Sequence, residues 1–295
     1  MKMALQTFVD TYSDLKQFKP TTARDGFRNL VLDFLSLGIS EKNRLFEKPR
    51  IQFLYVHHVF KDEEKSLVRL IETLGKHHRF ISYSHAVDKI LSGQIDEPSI
   101  VFSSDDGLKN NLSAAKIFSS FNISACFFVN PSIIGQSDRR IVAEFCKERL
   151  HFPPVEFMTW EEIHQLQQMG HEIGSHTMSH INVARSQRQE LEDEIGKSFS
   201  ILKQRCGAVR HFAYPYGRFF HFNEEGRKLV FEAGFESCCS AERGCHINHG
   251  RKICKEELLI RRDHIILGWK LKHILYFLAA NARTASERNN LYPWR

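Results

Sequence analysis

No stretch of this 295-residue sequence is both apolar and long enough to cross a bilayer as a helix. The apolar segment Ile274–Ala282 is far too short. Met1 to Pro20 alternates polar and apolar side chains and lacks the continuous apolar run of a secretion signal. Together these absences lead to the expectation of a cytoplasmic protein with no transmembrane segment. The seven cysteines (Cys126, Cys146, Cys206, Cys238, Cys239, Cys245 and Cys254) are odd in number and spread over a long chain, which is not a disulfide framework. There is no internal repeat and no low-complexity tract. Strong charge of one sign is also missing. A formal charge of +6, with basic residues scattered among acidic ones, is no nucleic-acid signature; it leaves solubility and a weak attraction to anionic phosphates or membrane surfaces. What is present is ordinary for a globular chain, with 42% hydrophobic and 26% charged residues.

Residues 1–48 read as an N-terminal helical extension. Leu30, Val31, Phe34, Leu35 and Leu37 are spaced for one apolar helical face, and Lys48-Pro49 ends it. Residues 49–282 read as the main domain and 283–295 as a polar, partly loose tail. Within the main domain, short apolar runs at Ile51–Val56, Ser99–Ser103, Ser124–Val129, Glu172-Ile173, His211–Tyr214, Glu236–Ser240 and Leu258–Arg262 predict strands. Helices are predicted from Asp62 to His77, Asn110 to Phe121, Thr159 to Met169, Ser186 to Arg205, Glu224 to Ala233 and Leu271 to Ala282. Thr159 and Glu162 form a capping-box pattern. The alternation argues for a parallel α/β sheet with helices outside, either closed into a barrel or open.

Active sites of parallel sheets collect at the C-terminal ends of the strands. Three stretches fall there: Ser103-Ser104-Asp105-Asp106-Gly107, Ser175-His176-Thr177-Met178-Ser179-His180 and Tyr214-Pro215-Tyr216-Gly217. Adjacent carboxylates are costly unless a cation lies near. Two histidines four apart, on one helical turn, can reach one ion. A Pro-aromatic-Gly turn can aim an N–H into a cleft. Each pattern alone is more often a plain turn. Together they offer two histidines and one aspartate, a three-ligand set that leaves positions for water and substrate.

These stretches resemble the motifs of the polysaccharide deacetylase family, also called carbohydrate esterase family 4 or the NodB homology domain, over about residues 51–265. The resemblance implies a distorted, incomplete (β/α) barrel and a divalent metal, zinc first, held by Asp106, His176 and His180. It implies Asp105 as catalytic base and the backbone N–H of Tyr216 as oxyanion donor. Ala213 stands where many members carry an arginine that pairs with the base, and Arg261 or Arg262 are the candidates to replace it. Leu54-Tyr55-Val56-His57-His58-Val59 resembles the opening of the poly-N-acetylglucosamine deacetylase branch, which implies His57 as general acid. His58 should face away from it on the strand, and His264 and His273 are the fallbacks. Cys238, Cys239, Cys245, His246, His249 and Cys254 fit no standard zinc spacing, and Cys238 and Cys239 are expected in a buried strand. The implied function is metal-dependent removal of an N-acetyl group from a sugar. The partner would be an N-acetylated glycan or glycan precursor, with no nucleic acid, in surface-polysaccharide biosynthesis. Hydrolysis of another C–N bond, such as a formamide or cyclic amide, and an inactive glycan-binding protein are the alternatives.

Overall fold

The computed structural model describes residues 8–18, 22–38, 46–248 and 250–293. Its centre is a parallel sheet built from β1 (Arg50–Val56), β2 (Arg79–Phe80), β3 (Pro98–Ser104), β4 (Cys126–Val129), β5 (Glu172–Ser175), β6 (His211–Ala213), β7 (Ser237–Cys239), β8 (Leu259–Ile260) and β9 (Arg262–His264). The order is β8-β7-β6-β5-β4-β3-β1-β9, with β2 beside the start of β3. The two ends of this path, β8 and β9, are consecutive in sequence and interrupted only at Arg261. Leu259–Ile260 pairs with β7 and Arg262–His264 pairs with β1, so one extended segment joins both edges. The result is a nearly closed (β/α) barrel.

The two-residue period of the strands sorts side chains between two cores. Phe53, Val101, Phe128, Ala213, Cys239 and Ile260 point inward into one buried cluster. Leu54, Phe102, Phe127, Phe212, Cys238 and Leu259 point outward, beneath the helices. Helix Tyr83–Ser92, absent from the sequence-based expectation, adds Tyr83, Ala86, Val87 and Ile90 to the inner cluster and stoppers the barrel's lower end. Tyr83 meets the rings of Phe53 and Phe128 edge-on. Helix Trp160–Gln168 has the expected capping box, Glu162 N–H to Thr159 Oγ1 at 3.2 Å and Thr159 N–H to Glu162 Oε2 at 2.8 Å. The long helix expected from Ser186 is three pieces, Arg188–Leu191, a wider π segment Glu192–Lys197, and Ser198–Cys206. The tail is less loose than its polarity suggests. Tyr292 and Asn290 are buried, and Asn290 Oδ1 lies 2.7 Å from His246 Nδ1.

The N-terminal extension forms helices Tyr12–Phe18 and Ala23–Leu35. The first is fixed by Asp62, whose carboxylate accepts from Tyr12 N–H at 2.8 Å and Ser13 N–H at 3.2 Å. Tyr12 lies so close to Gly268 that a Cβ there would sit 2.2 Å from the ring. The second helix buries Leu32 and ties Asp33 to Lys270, Lys272 and His273, at 2.6, 2.7 and 2.9 Å. Those three partners hold the Asp33 carboxyl well below the usual carboxylate range. No described helix is long and apolar enough to cross a membrane.

Candidate active site

The C-terminal ends of the strands open on a cavity of about 410 Å³, within the range of small-ligand sites. Asp105, Asp106, His176 and His180 line it, as do Tyr216, His57, His58, His264 and Arg262. Asp105 and Asp106 follow β3, and the next residue has to be glycine. Gly107 has φ +74°, and a Cβ there would meet Ile134 Cδ1 at 2.9 Å. Of the six non-glycine residues with positive φ among the described residues, Asp106, Thr177, His180 and Tyr216 belong to this site. Such a backbone persists only where the surroundings impose it. Asn130 Nδ2 donates to the carbonyls of His176 and Thr177, and Glu194 accepts from Ser179 N–H and Oγ–H at 2.8 and 2.6 Å. The histidines therefore converge through a tight turn with two left-handed residues, not through the helical turn that their spacing suggested.

Asp106 Oδ1 lies 3.4 Å from both His176 Nε2 and His180 Nε2. One ligand atom from each of the three residues lies within 4.8 Å of the others. Asp106 Oδ1 is buried without a hydrogen-bond partner. His176 Nδ1 faces the carbonyl of Ala213 at 2.7 Å, which places its proton there and leaves Nε2 a free lone pair toward Asp106. Burial lowers the pKa of both histidines, keeping them neutral as ligands must be. Burial, and then the neighbouring Asp105, push the Asp106 carboxyl well above its ordinary value. An orphaned carboxylate oxygen opposite the Nε2 atoms of two neutral imidazoles is the donor set of a divalent cation, so the residues fit one.

Asp105 has a different partner. Arg262 Nη1 and Nη2 donate to its two oxygens at 2.7 and 2.8 Å, a bidentate pair with both side chains buried. Burial alone would raise the Asp105 pKa; Arg262 reverses that and brings it down to about 2. Of the two candidate arginines, Arg262 is the one that pairs with Asp105. Arg261 turns outward, to the carbonyls of Asn289 and Arg243. Strand alternation makes this choice, since Arg262 and His264 face the cavity and Asp263 faces Asn281 on the last helix, 2.6 Å away.

His57 lies past the end of β1, its carbonyl held by Asn111 Nδ2 at 2.8 Å. Its Nδ1 is 3.0 Å from His264 Nε2, and burial lowers its pKa to about 4. His58 does not face away as strand alternation implied. The strand ends at Val56, so both imidazoles reach the cavity wall, where His58 Nδ1 is engaged by Glu63 Oε2 at 2.9 Å. His273 is bound to Asp33, outside the cavity, whereas His264 is in it. Tyr216 takes φ +61°, meets the His180 ring edge-on with centroids 4.8 Å apart, and donates its hydroxyl to the carbonyl of Arg149 at 3.0 Å. Gly217 follows because a Cβ there would lie 2.2 Å from Ala241 Cβ. Several wall residues had no signal in the sequence. Tyr12 and Leu15 come from the extension, and Phe152 from the segment after the π turn Cys146–Leu150. Cys238 and Cys239 lie in β7, buried in the two cores.

A family model described as polysaccharide deacetylase matches residues 92–237. These residues belong to the polysaccharide deacetylase family. A curated relative, a chitooligosaccharide deacetylase of Azorhizobium caulinodans, is 42% identical over 55 residues, 18% of this chain and 26% of its own length. The match thus spans about a quarter of that relative. Among solved structures, IcaB from Ammonifex degensii superposes with TM-score 0.63 at 17% identity, over 81% of this chain and 99% of that one. The Streptococcus pyogenes deacetylase PplD, solved in complex with acetate, gives TM-score 0.59 at 14% identity, over 77% and 98%. At those identities the likeness is one of fold. The stretch matched to the deacetylase family holds Asp105, Asp106, His176, His180 and Tyr216. His57, Arg262 and His264 come from strands on either side of it, which complete the barrel around the family's motifs.

Proposed function

We propose that the protein hydrolyses the N-acetyl group of an amino sugar, within a glycan or a glycan precursor, releasing acetate and the free amine. The observation that supports this most is the division of the two adjacent carboxylates. Asp106 faces the Nε2 atoms of two imidazoles, and Asp105 is held ionised by Arg262 in the same cavity. A divalent ion held by Asp106, His176 and His180, zinc first among the candidates, would supply Lewis acidity toward the acetamide carbonyl. Asp105 accepts the proton of the attacking water. The Tyr216 N–H donates to the carbonyl oxygen as negative charge develops there. His57 donates to the departing sugar nitrogen. For that step His57 must first take up a second proton, because a neutral imidazole that gave up its Nε2 proton would be left as an imidazolate. A nucleotide- or lipid-linked sugar in surface-polysaccharide assembly is the substrate class to try first. Acetate release from such precursors, measured beside formylated analogues and exported polymer, tests the reading. Release of formate alone, or no release from any acetylated sugar by ion-loaded protein, overturns it.

Two consequences concern individual residues. His57→Ala should lower kcat roughly 100-fold or more while ion content stays unchanged. His58→Ala should do much less, because its Nδ1 is already taken by Glu63. Ion analysis beside steady-state rates separates the two. Arg262→Gln removes the main group that keeps the Asp105 pKa low, leaving only the weaker pull of His176 and His57 against burial. A base must be ionised to work. The acid limb of kcat/KM, which Asp105 places near pH 2 at most in the wild type, should therefore rise by about one pH unit or more in the variant. An unmoved limb would show that Asp105 is not the titrating base.

A further inference from the structure

Helix Ala23–Leu35 is mounted the wrong way round for a soluble protein. Phe27, Leu30, Val31, Phe34 and Leu35 recur at the three- and four-residue spacing of one helical face. That face points to solvent: Phe27 is 69% exposed, Leu30 68% and Phe34 74%, and the run continues into Leu37 at 76%. The polar side faces the protein instead. Asp33 is held there by Lys270, Lys272 and His273, and Arg28 lies over the Trp269 ring at 5.2 Å. Leu32 is the helix's buried apolar residue. Hydrophobic burial cannot be what holds this helix on the domain in this orientation.

We propose that this face is a docking surface for an anionic lipid bilayer, seating the protein with the cavity rim beside the membrane. At 100° per residue, Arg28 falls on one border of the apolar stripe. Asp33 falls on the other, where it gathers Lys270 and Lys272. Arg28, Lys270 and Lys272 are all partly exposed; Arg28 pairs with Asp25 and both lysines pair with Asp33, so three cations against two carboxylates leave these borders net positive. An apolar face flanked by long cationic side chains is the pattern of a helix lying in the plane of a membrane interface. The formal charge of +6 adds long-range attraction to anionic lipid. The same charges disfavour a second copy of this chain as the occupant, since facing stripes would bring like charges together. The preceding helix supplies Tyr12, Leu15 and Lys16 to the cavity wall, and the segment that holds Asp33 follows cavity residues Ile265 and Ile266. Docking there sets the cavity mouth at the lipid surface. The inference does not depend on the deacetylation reading, and its test does not use catalysis.

The full chain is mixed with vesicles of phosphatidylcholine, alone or in equal parts with phosphatidylglycerol, and sedimented. The wild type should pellet with the mixed vesicles. Phe27→Ser combined with Leu30→Ser and Phe34→Ser should reduce partitioning roughly 100-fold, since those side chains supply the inserted apolar area. The thermal midpoint should stay close to that of the wild type, because the three residues contribute little to the core. Single substitutions, each expected to weaken binding, serve as the check if the triple variant folds poorly. Wild type that stays in the supernatant with both vesicle types overturns the proposal, as does a triple variant that pellets like the wild type. A wild-type dimer that the substitutions convert to monomer, with no vesicle binding, also overturns it and assigns the face to a second copy.

Discussion

Asp105→Asn should lose nearly all turnover, roughly a thousandfold or more, while keeping its bound ion. An amide is nearly the same shape as a carboxylate but accepts no proton at neutral pH. The ion's donors, Asp106, His176 and His180, are untouched by the change. The geometry adds a second effect. Asp105 and Arg262 are both buried, and Arg262 donates to both carboxylate oxygens. Breaking one side of a buried pair costs about 3–5 kcal/mol, and an amide that can still accept one of the two bonds should cost less. The variant should therefore melt at a lower temperature as well as fail to turn over. The wild-type contribution also has a definite pH window. A depressed carboxyl pKa stabilises the fold above the unfolded value, near 4, and that stability is lost as pH falls through about 2. Ion content, acetate release and melting temperature decide the matter. A variant that is ion-free, or fully active, means the base lies elsewhere.

Asp106→Asn should give the opposite pattern. Ion content and turnover should both collapse, because a neutral amide oxygen is a poorer ligand than a carboxylate. His176→Ala and His180→Ala should follow it. In chelator-treated protein, however, Asp106→Asn should melt higher than the wild type at pH 7. Burial and the adjacent Asp105 push the Asp106 carboxyl pKa up, so at neutral pH the ion-free fold must either carry an unfavourable charge or take up a proton to avoid it, and the amide removes that cost. The sign follows from the raised pKa. The penalty is absent below the unfolded value near pH 4 and grows as pH rises above it, so the two melting temperatures should converge near pH 4. Saturating zinc should reverse the order, since binding stabilises only the wild type strongly. Melting curves at two pH values, with and without chelator, test all of this. A chelated wild type that melts above the variant at pH 7 would contradict the assignment of Asp106 as the ion's carboxylate.

The parts of the site that could be read in the sequence are those whose geometry is local. Asp105, Asp106 and Gly107 lie on one turn, and His176 and His180 on another, so a short pattern carries their proximity. The parallel α/β alternation was legible for a similar reason, as most strands announce themselves by a short apolar run; β2 and β9 do not, and closure into a barrel came only from the family resemblance. The choice between Arg261 and Arg262 was not legible, because it depends on which face of a strand looks inward, and adjacent residues always disagree on that. The same parity failed at His57 and His58, where the strand stops one residue too early for alternation to apply. The extension shows a further limit. Periodicity reveals that Leu30, Val31, Phe34 and Leu35 share a face but not what that face looks at. The approach of Tyr12 to Gly268 spans most of the chain and leaves no pattern in either segment.

The segment Leu259–His264 closes the barrel and also delivers Arg262. On a ribosome, Asp105, Asp106, His176 and His180 emerge long before it. A nascent chain could gather the ion's ligands while Asp105 still lacked its counter-charge. The catalytic base would become competent only when the last strand docked between β7 and β1. Completion of the fold would then act as the on-switch, and any breathing of that one strand in the finished protein would dim the chemistry before it unravelled the rest.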